Sequence, residues 1–535
     1  MTAPARPRQA PSRLGRVVPA VLAAAALALT GCSATRGAQS PPTPAGAATS
    51  SSPTASASTA TPVPSGSTDP ALARFYDQKP RWAGCGDGFQ CTTIEVPIDY
   101  AHPADGSISL AVNRLPAAER GRRLGSLVVN PGGPGGSGLD YARAASTVVS
   151  PAVRARYDVV GFDPRGVGKS TPVRCLSDRQ TDVFLATDGS PDTGAEEQRL
   201  VDESKLLGQQ CEKAAPKLLP HLGTVDAARD MDVLRAVLGD PKLNYLGKSY
   251  GTFLGATYAE EFPSRVGRFV LDGALDPTSS TEEVNREQAL GFETALTSFV
   301  DDCLRRPDCP LPGPRQAALA EVGRILDRAD AKPLSSDTGR PVTQALAVLG
   351  VVASLYDQSN GWPLLRQGLS EAKTGVGTTL LLLADFYSDR NEDGTYASNS
   401  NDVIYAVSCL DKKATGDLAT LRADAASFTK VAPRFGAYLA WSSLPCAYWP
   451  APPTDTPHPI RAAGSGPIVV VGTLRDPATP YVWAKNLAGE LANGHLLTWD
   501  GDGHTAYRRG SSCIDAAVDA YYLQGTVPPA GKTCR

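Results

Sequence analysis

Ser249 stands in Gly247-Lys248-Ser249-Tyr250-Gly251, a G-x-S-x-G pattern. The apolar run "LNYLG" leads into it and the helix-like "TFLGATYAEEF" follows. A serine on a sharp turn from strand to helix presents its hydroxyl as a nucleophile for acyl transfer. Glycines on both sides allow the backbone to turn. The hydroxyl needs a base to take its proton, and the base needs an acid to orient it. The chain has five histidines. In a strand–turn–helix site of this kind the order along the chain is Ser, acid, His, which excludes His102 and His221. His458 precedes the late strands, and His495 opens one. His504, in "DGDGHTAY", follows the strand-like "HLLTW" and is the expected base.

The acid should end the strand before that one. "PIVVVGTLRDPATP" puts Asp476 there. Asp272, after "RFVL", is a rival at the end of the preceding strand. Asp500 and Asp502 lie too close to His504 along one loop to buttress its ring. An acyl-transfer site also needs two backbone N–H groups for the oxyanion. Tyr250, next to the nucleophile, offers one. The other should come from the glycine-rich loop "NPGGPGGSG" after the strand "LGSLVVN", at Gly132 or Gly133.

These residues need a scaffold. "CTTIEVPIDY" and "SISLAVNRLPA", separated by "AHPADG", read as a hairpin. "LGSLVVN" (124–130), "YDVVGFD" (157–163), "KLNYLG" (242–247), "VGRFVLDG" (266–273), "PIVVVG" (467–472) and "HLLTW" (495–499) are short apolar runs, as strands buried on both faces require. Helical stretches alternate with them. "TVDAARDMDVLRAVLG" is expected to start at a capping Thr224 and to place Met231, Leu234 and Leu238 on one face. The class is α/β with a mainly parallel sheet. Between about 276 and 462 the alternation gives way to helical segments and Pro-rich loops, read as a helical lid inserted in the sheet domain. The core is then 71–275 and 463–535.

The N-terminus is a different object. Arg6, Arg8, Arg13 and Arg16 precede "VVPAVLAAAALALT", too short to span a bilayer and suited to an export signal. Leu29-Thr30-Gly31-Cys32 resembles the bacterial lipobox, in which the cysteine is lipidated and cleavage falls before it. Removing residues 1–31 takes four arginines and no acids, moving the formal charge from −3 to −7. Residues 32–70, rich in Ser, Thr, Ala and Pro, read as a flexible tether. Cys32 aside, an even ten of the 11 cysteines remain. In an oxidising compartment disulfides are the default; local spacing suggests Cys85–Cys91, Cys303–Cys309 and Cys513–Cys534, with Cys175–Cys211 and Cys409–Cys446 completing the set, while sequence alone leaves the connectivity open. With no basic stripe, nucleic acid is not an expected partner.

Two motifs are decoys. Gly166-Val167-Gly168-Lys169-Ser170 ends like a phosphate loop, but Asp163 stands where the loop's first glycine belongs. Asp389–Gly394 begins like a calcium loop, but Ser400 replaces the glutamate at position 12. No metal and no cofactor are expected.

"NPGGPGGSG", "GFDPRGVGKST", "LGKSYGTFLGATYAEEFPSRVGRFVLDG", "GTLRDPATP" and "GDGHTAY" together resemble the proline iminopeptidase relatives among α/β hydrolases. The match is best to the exported, tripeptidyl aminopeptidase-like group of actinobacteria. The resemblance runs from about residue 70 to the C-terminus and is weakest in the lid. It implies the α/β-hydrolase fold, a triad of Ser249, Asp476 and His504, and oxyanion donors at Gly132 or Gly133 and at Tyr250. Pro131 replaces the histidine of the iminopeptidase H-G-G-P-G motif, so that histidine's role does not carry over. Asp163, Arg165, Gly166, Gly168 and Ser170 match a D-x-R-G-x-G-x-S turn of structural purpose, which leaves Lys169 an exposed lysine. The expected function is an exported, lipid-anchored serine exopeptidase acting on peptides with a free N-terminus. Glu282, Glu283 and Glu287 are lid candidates for the substrate ammonium, although Ser280-x-x-Glu283 is also a capping box. A carboxylesterase is the alternative in chemistry. An inactive binding lipoprotein is the alternative in class, and the intact Ser, Asp and His count against it.

Overall fold

The computed structural model describes residues 69–535; the expectations for residues 1–31 and for nearly all of the tether lie outside them. Ten strands form one sheet in the order β1-β2-β3-β5-β4-β6-β7-β8-β9-β10. They are β1 (Ala83–Gly84), β2 (Gln90–Pro97), β3 (Ser107–Leu115), β4 (Gly125–Asn130), β5 (Tyr157–Phe162), β6 (Leu243–Lys248), β7 (Val266–Asp272), β8 (Ile468–Arg475), β9 (Gly494–Asp502) and β10 (Thr533–Cys534). β2 and β3 are the expected antiparallel hairpin, and β3 lies antiparallel on β5. From β5 to β10 every pairing is parallel. β4 and β5 are buried along their whole length. Their residues alternate between two apolar layers: Leu127, Val129 and Val159 join one, Val128, Val160 and Phe162 the other. Helices on both faces cover the sheet, which is why its strands carry no polar alternation.

Three local expectations change. Gly223, not Thr224, caps the helix Thr224–Leu238, and the Thr224 hydroxyl turns instead to Asp411. Met231 and Leu234 are fully buried on that helix, while Leu238 is only partly covered. β9 continues through Asp502, because Arg475 of β8 pairs with both Asp500 and Asp502 and holds them in register. Asp500 and Asp502 are therefore strand residues, not loop neighbours of His504.

Between β7 and β8 the chain makes the expected helical excursion, from Thr281–Cys303 to Leu444–Ala447. Most of it packs around its own core, with Phe292, Phe299, Val351, Leu365 and Leu380 inside. The helix Ser400–Asp411 differs: its Val403, Ala406, Val407 and Leu410 belong to the core of the sheet. A second excursion, between β5 and β6, carries the helices Asp178–Ala186 and Gly194–Ala214. It grips the first through Arg390–Asp182, Arg422–Glu197 and Phe184 edge-on to Tyr405. All five expected disulfides are present. Such a set belongs to a chain that folds in an oxidising compartment. Among the described residues, no helix is long and apolar enough to cross a membrane.

The phosphate-loop decoy is a structural turn. Asp163 accepts from Ser137 Oγ, Leu139 N and Lys169 N. Arg165 is fully buried and spends five donor contacts: two on Asp230 and one each on the carbonyls of Pro97, Ile98 and His221. Asn399, from the excursion, accepts from Gly168 N and donates to the carbonyls of Gly166 and Val173. Lys169 is exposed. Replacing Arg165 with leucine strands the Asp230 carboxylate in the interior and should cost about 3–5 kcal/mol. Lys169→Ala should stay within about 0.5 kcal/mol. Urea unfolding midpoints with the disulfides intact test the pair, and a larger loss for Lys169→Ala would reverse the assignment.

Candidate active site

β6 ends at Lys248, and Ser249 follows with φ 56° and ψ −127° before the helix Tyr250–Glu261. Positive φ at a residue with a side chain costs about 1–3 kcal/mol and persists only where neighbours enforce it. Here Ser249 N donates to Asp272 O at 3.0 Å, and Thr252 N and Oγ1 both donate to Ser249 O. The flanking glycines do not make the turn; they make room for it. A Cβ on Gly247 would lie 2.2 Å from Gly251 O, and one on Gly251 would lie 2.7 Å from Asn130 Oδ1.

His504 and Asp476 meet. His504 Nδ1 lies 2.9 Å from Asp476 Oδ1 and 3.1 Å from Oδ2. Asp476 also accepts from the backbone N–H groups of Ala478, Thr479 and Thr505. Every partner is a donor, the arrangement that an ionised carboxylate needs. With Nδ1–H pointed at Asp476, the Nε2 lone pair of His504 is left to take a proton. The excursion fixes the ring from another side: Tyr356 O accepts from His504 N at 3.0 Å, and the two rings meet edge-on at 5.0 Å.

Asp272, the rival acid, has another task. Its carboxylate is fully buried and accepts from Ala506 N at 2.8 Å and Tyr507 N at 2.9 Å. Lys248 Nζ lies 3.4 Å from it and donates to Tyr507 O. Burial pulls the Lys248 ammonium below the usual lysine range, and Asp272 works against that pull. Asp272 thus braces the loop that carries His504. The other histidines lie elsewhere: His102 and His458 are exposed, His221 faces Asp226, and His495 faces Asn493.

The glycine loop packs on the turn. A Cβ at Gly132 would come within 2.4 Å of Lys248 O, so only glycine fits. The Gly132 N–H donates to Asn130 Oδ1 at 2.9 Å. That removes Gly132 from the oxyanion candidates and leaves Gly133 beside Tyr250.

A cavity of about 380 Å³ opens at Ser249, a size within the range of small-ligand pockets. Gly133, Tyr250, Thr479 and Tyr356 line it with Ser249, and the last two also touch His504. The excursion supplies an apolar and aromatic wall, including Phe292, Val352, Tyr387, Tyr405 and Tyr438. Glu282, Glu283 and Glu287 are not among its lining residues. Glu283 is held in the capping box with Ser280, Glu287 accepts from Trp483 Nε1, and Glu282 is exposed. The carboxylate in the cavity wall is Asp411, at the end of the helix Ser400–Asp411. Its oxygens accept from Thr224 N at 2.8 Å and Thr224 Oγ1 at 2.6 Å. With its proton on Asp411, the Thr224 hydroxyl accepts from Tyr250 OH at 2.6 Å. Asp389–Gly394, the calcium-loop decoy, is a tight turn in which Asp389 and Asp393 accept from Ser398 and Thr395.

Burial pushes the Asp411 carboxyl up to about 7, with Asp455 adding to the rise and Lys412 opposing it. The folded state therefore keeps this proton at pH values where the unfolded chain has lost it. Stability falls as pH rises from about 4 to about 7, because more protons are bound to the folded form there. Asp411→Asn removes the term. The variant should gain on the wild type across that window by an amount on the order of 4 kcal/mol, measured as unfolding free energies at pH 4.5 and pH 8. An unchanged difference between the two proteins would contradict the assignment.

Residues 431–534 match the family model described as TAP-like protein. Serine protease Hip1 of Mycobacterium tuberculosis is 39% identical over 459 residues, covering 84% of this chain and 87% of that relative. Carboxylesterase B of the same organism is 40% identical over 452 residues, covering 83% and 86%. Tripeptidyl aminopeptidase of Streptomyces coelicolor is 34% identical over 453 residues, covering 83% of each. Identity at this level over nearly the whole described chain, on a sheet with this order and this serine turn, shows that the chain belongs to the tripeptidyl aminopeptidase-like family of α/β-hydrolase-fold serine hydrolases.

Proposed function

We propose that the protein is an exported serine peptidase that removes short peptides or residues from free N-termini. Ser249 Oγ attacks the scissile carbonyl carbon while its proton passes to His504 Nε2. Asp476 holds the imidazole and stabilises the cation that forms. The oxyanion accepts from the N–H groups of Gly133 and Tyr250. The C–N bond then breaks, His504 gives its proton to the leaving amine, and an acyl-enzyme remains on Ser249. Water enters, loses a proton to His504 and attacks the ester. The acid product leaves as the proton returns to Ser249.

The observation that carries the reading is a strained serine in the wall of a lidded cavity that Thr479 and Tyr356 also line, both of which touch a histidine bonded to a buried carboxylate. A cavity walled by an inserted domain accepts a chain end more readily than the middle of a folded protein. The relatives named serine protease and tripeptidyl aminopeptidase support peptide chemistry. The relative named carboxylesterase supports a second reading, ester hydrolysis by the same groups. Matched amide and ester substrates with the same acyl part decide between them. The peptidase reading expects turnover of the amide, and hydrolysis of the ester alone would replace it.

Ser249→Ala should abolish turnover, and His504→Ala should lose nearly as much, because the groups act as a unit. Asp476→Asn should lower kcat by about 10⁴ while the protein stays folded. Steady-state kinetics and circular dichroism check this. An Asp476→Asn enzyme of near-normal kcat would return the role of acid to Asp272.

The lipid anchor rests on Leu29-Thr30-Gly31-Cys32, outside the described residues, and agrees with five disulfides. One acyl chain holds a protein only weakly, so firm attachment calls for a diacylated Cys32. Cys32→Ala should move the protein out of the membrane fraction or leave it unprocessed. Mass spectrometry of the N-terminus should find lipid on Cys32, and an unmodified start at another residue would exclude it.

A further inference from the structure

The cavity at Ser249 has a chemical asymmetry. Its wall is apolar, aromatic, hydroxyl or amide, with two charged exceptions, Asp411 and Lys412. Asp411 is buried, and among the described residues no Lys, Arg or His nitrogen lies within ion-pair distance of it. Its two hydrogen bonds come from Thr224, a neutral residue. A carboxylate has about four acceptor positions, so half remain open. Lys412 does not fill them: its Nζ donates to Ser279 O at 2.6 Å. Nor does Lys412 make this end cationic, since Asp276, Glu283, Asp411 and Asp455 all act on its charge. A buried carboxylate with no cation in contact is costly and gains most from a cation that arrives with a ligand.

We infer that Asp411 is the anion that receives the α-ammonium of the substrate, so that the free chain end is read in the same cavity that holds Ser249. This rests on the peptidase reading and names the group that would give it exopeptidase character. The ammonium enters with three donors, and the carboxylate has acceptor positions left for them. Thr224 keeps the carboxylate in place, and through its hydroxyl the same residue touches Tyr250, the neighbour of the nucleophile. Binding the chain end and placing the scissile carbonyl are thereby linked through one threonine.

The test uses three p-nitroanilides with the same tripeptide frame: free amine, N-acetyl and des-amino, the last lacking the charge without added bulk. The wild type should favour the free amine over the des-amino compound by at least about 30-fold in kcat/KM, the discrimination expected when a buried charge loses its partner. Asp411→Asn keeps an acceptor for Thr224 N and should reduce that preference to within about threefold. Lys412→Met removes a like charge and should raise it by at least about threefold. Opposite shifts in the two variants cannot both come from misfolding. A wild-type preference that survives Asp411→Asn overturns the assignment and leaves the peptidase reading intact. If Asp411→Asn does not fold, an unchanged or lower preference in Lys412→Met overturns it. Equal wild-type rates on all three compounds overturn both this assignment and chain-end recognition, and hydrolysis of a matched ester with no anilide turnover overturns the peptidase reading itself.

Discussion

One buried residue, Asp272, ties the strained Ser249 turn to the loop that carries His504. Its carbonyl takes the N–H of Ser249, and its carboxylate takes the N–H groups of Ala506 and Tyr507, two and three residues beyond His504. The nucleophile turn and the histidine loop come from distant parts of the chain and are tied to the same strand end. A fully buried carboxylate requires such donors, because burial without them is prohibitive. Lys248 closes the arrangement by facing Asp272 and holding Tyr507 O. Asp476, one strand further along, meets the imidazole itself while accepting from the N–H groups of Ala478, Thr479 and Thr505. Two carboxylates at adjacent strand ends thus divide the work of placing His504 and orienting it.

The helical excursion is more than a cover. Its helix Ser400–Asp411 is seated by Asn399 on the turn after β5, by Asp402 on the N–H groups of Cys175 and Leu176, and by the Cys409–Cys446 disulfide. A Cβ on Gly135 of the glycine loop would meet Ser400 Cα at 3.0 Å, so this helix also presses on the loop beside the oxyanion candidates. Tyr356 reaches down to the His504 backbone. The two charged residues of the cavity wall, Asp411 and Lys412, lie where the helix Ser400–Asp411 runs out.

Much of the site could be read from the sequence because its signals are local. The G-x-S-x-G pattern sits between a strand and a helix, the capping box from Ser280 to Glu283 spans four residues, and apolar runs mark the buried strands. Asp476 and His504 followed from the order in which such a sheet is traversed. Other features depend on contacts between residues far apart in the chain, and no spacing announces them. Thr224 looked like a helix cap, yet its hydroxyl serves Asp411, 187 positions away. Asp272 looked like a second acid, yet its partners are 234 and 235 positions away. Asp411 ends an ordinary amphipathic helix and becomes distinctive only when the fold walls it into a cavity. The same limit applies to Gly132 and Gly133, equivalent as letters until Asn130 Oδ1 claims one N–H.

We propose Ser249, strained at the end of β6, as the nucleophile and His504 as its base. The most direct measurement is intact-mass and peptide mapping of the folded protein after reaction with a fluorophosphonate. One adduct per chain is expected, on the peptide carrying Ser249, and its formation should slow sharply in His504→Ala. A stoichiometric adduct on any other serine, or labelling of Ser249 at the same rate without His504, would contradict the account.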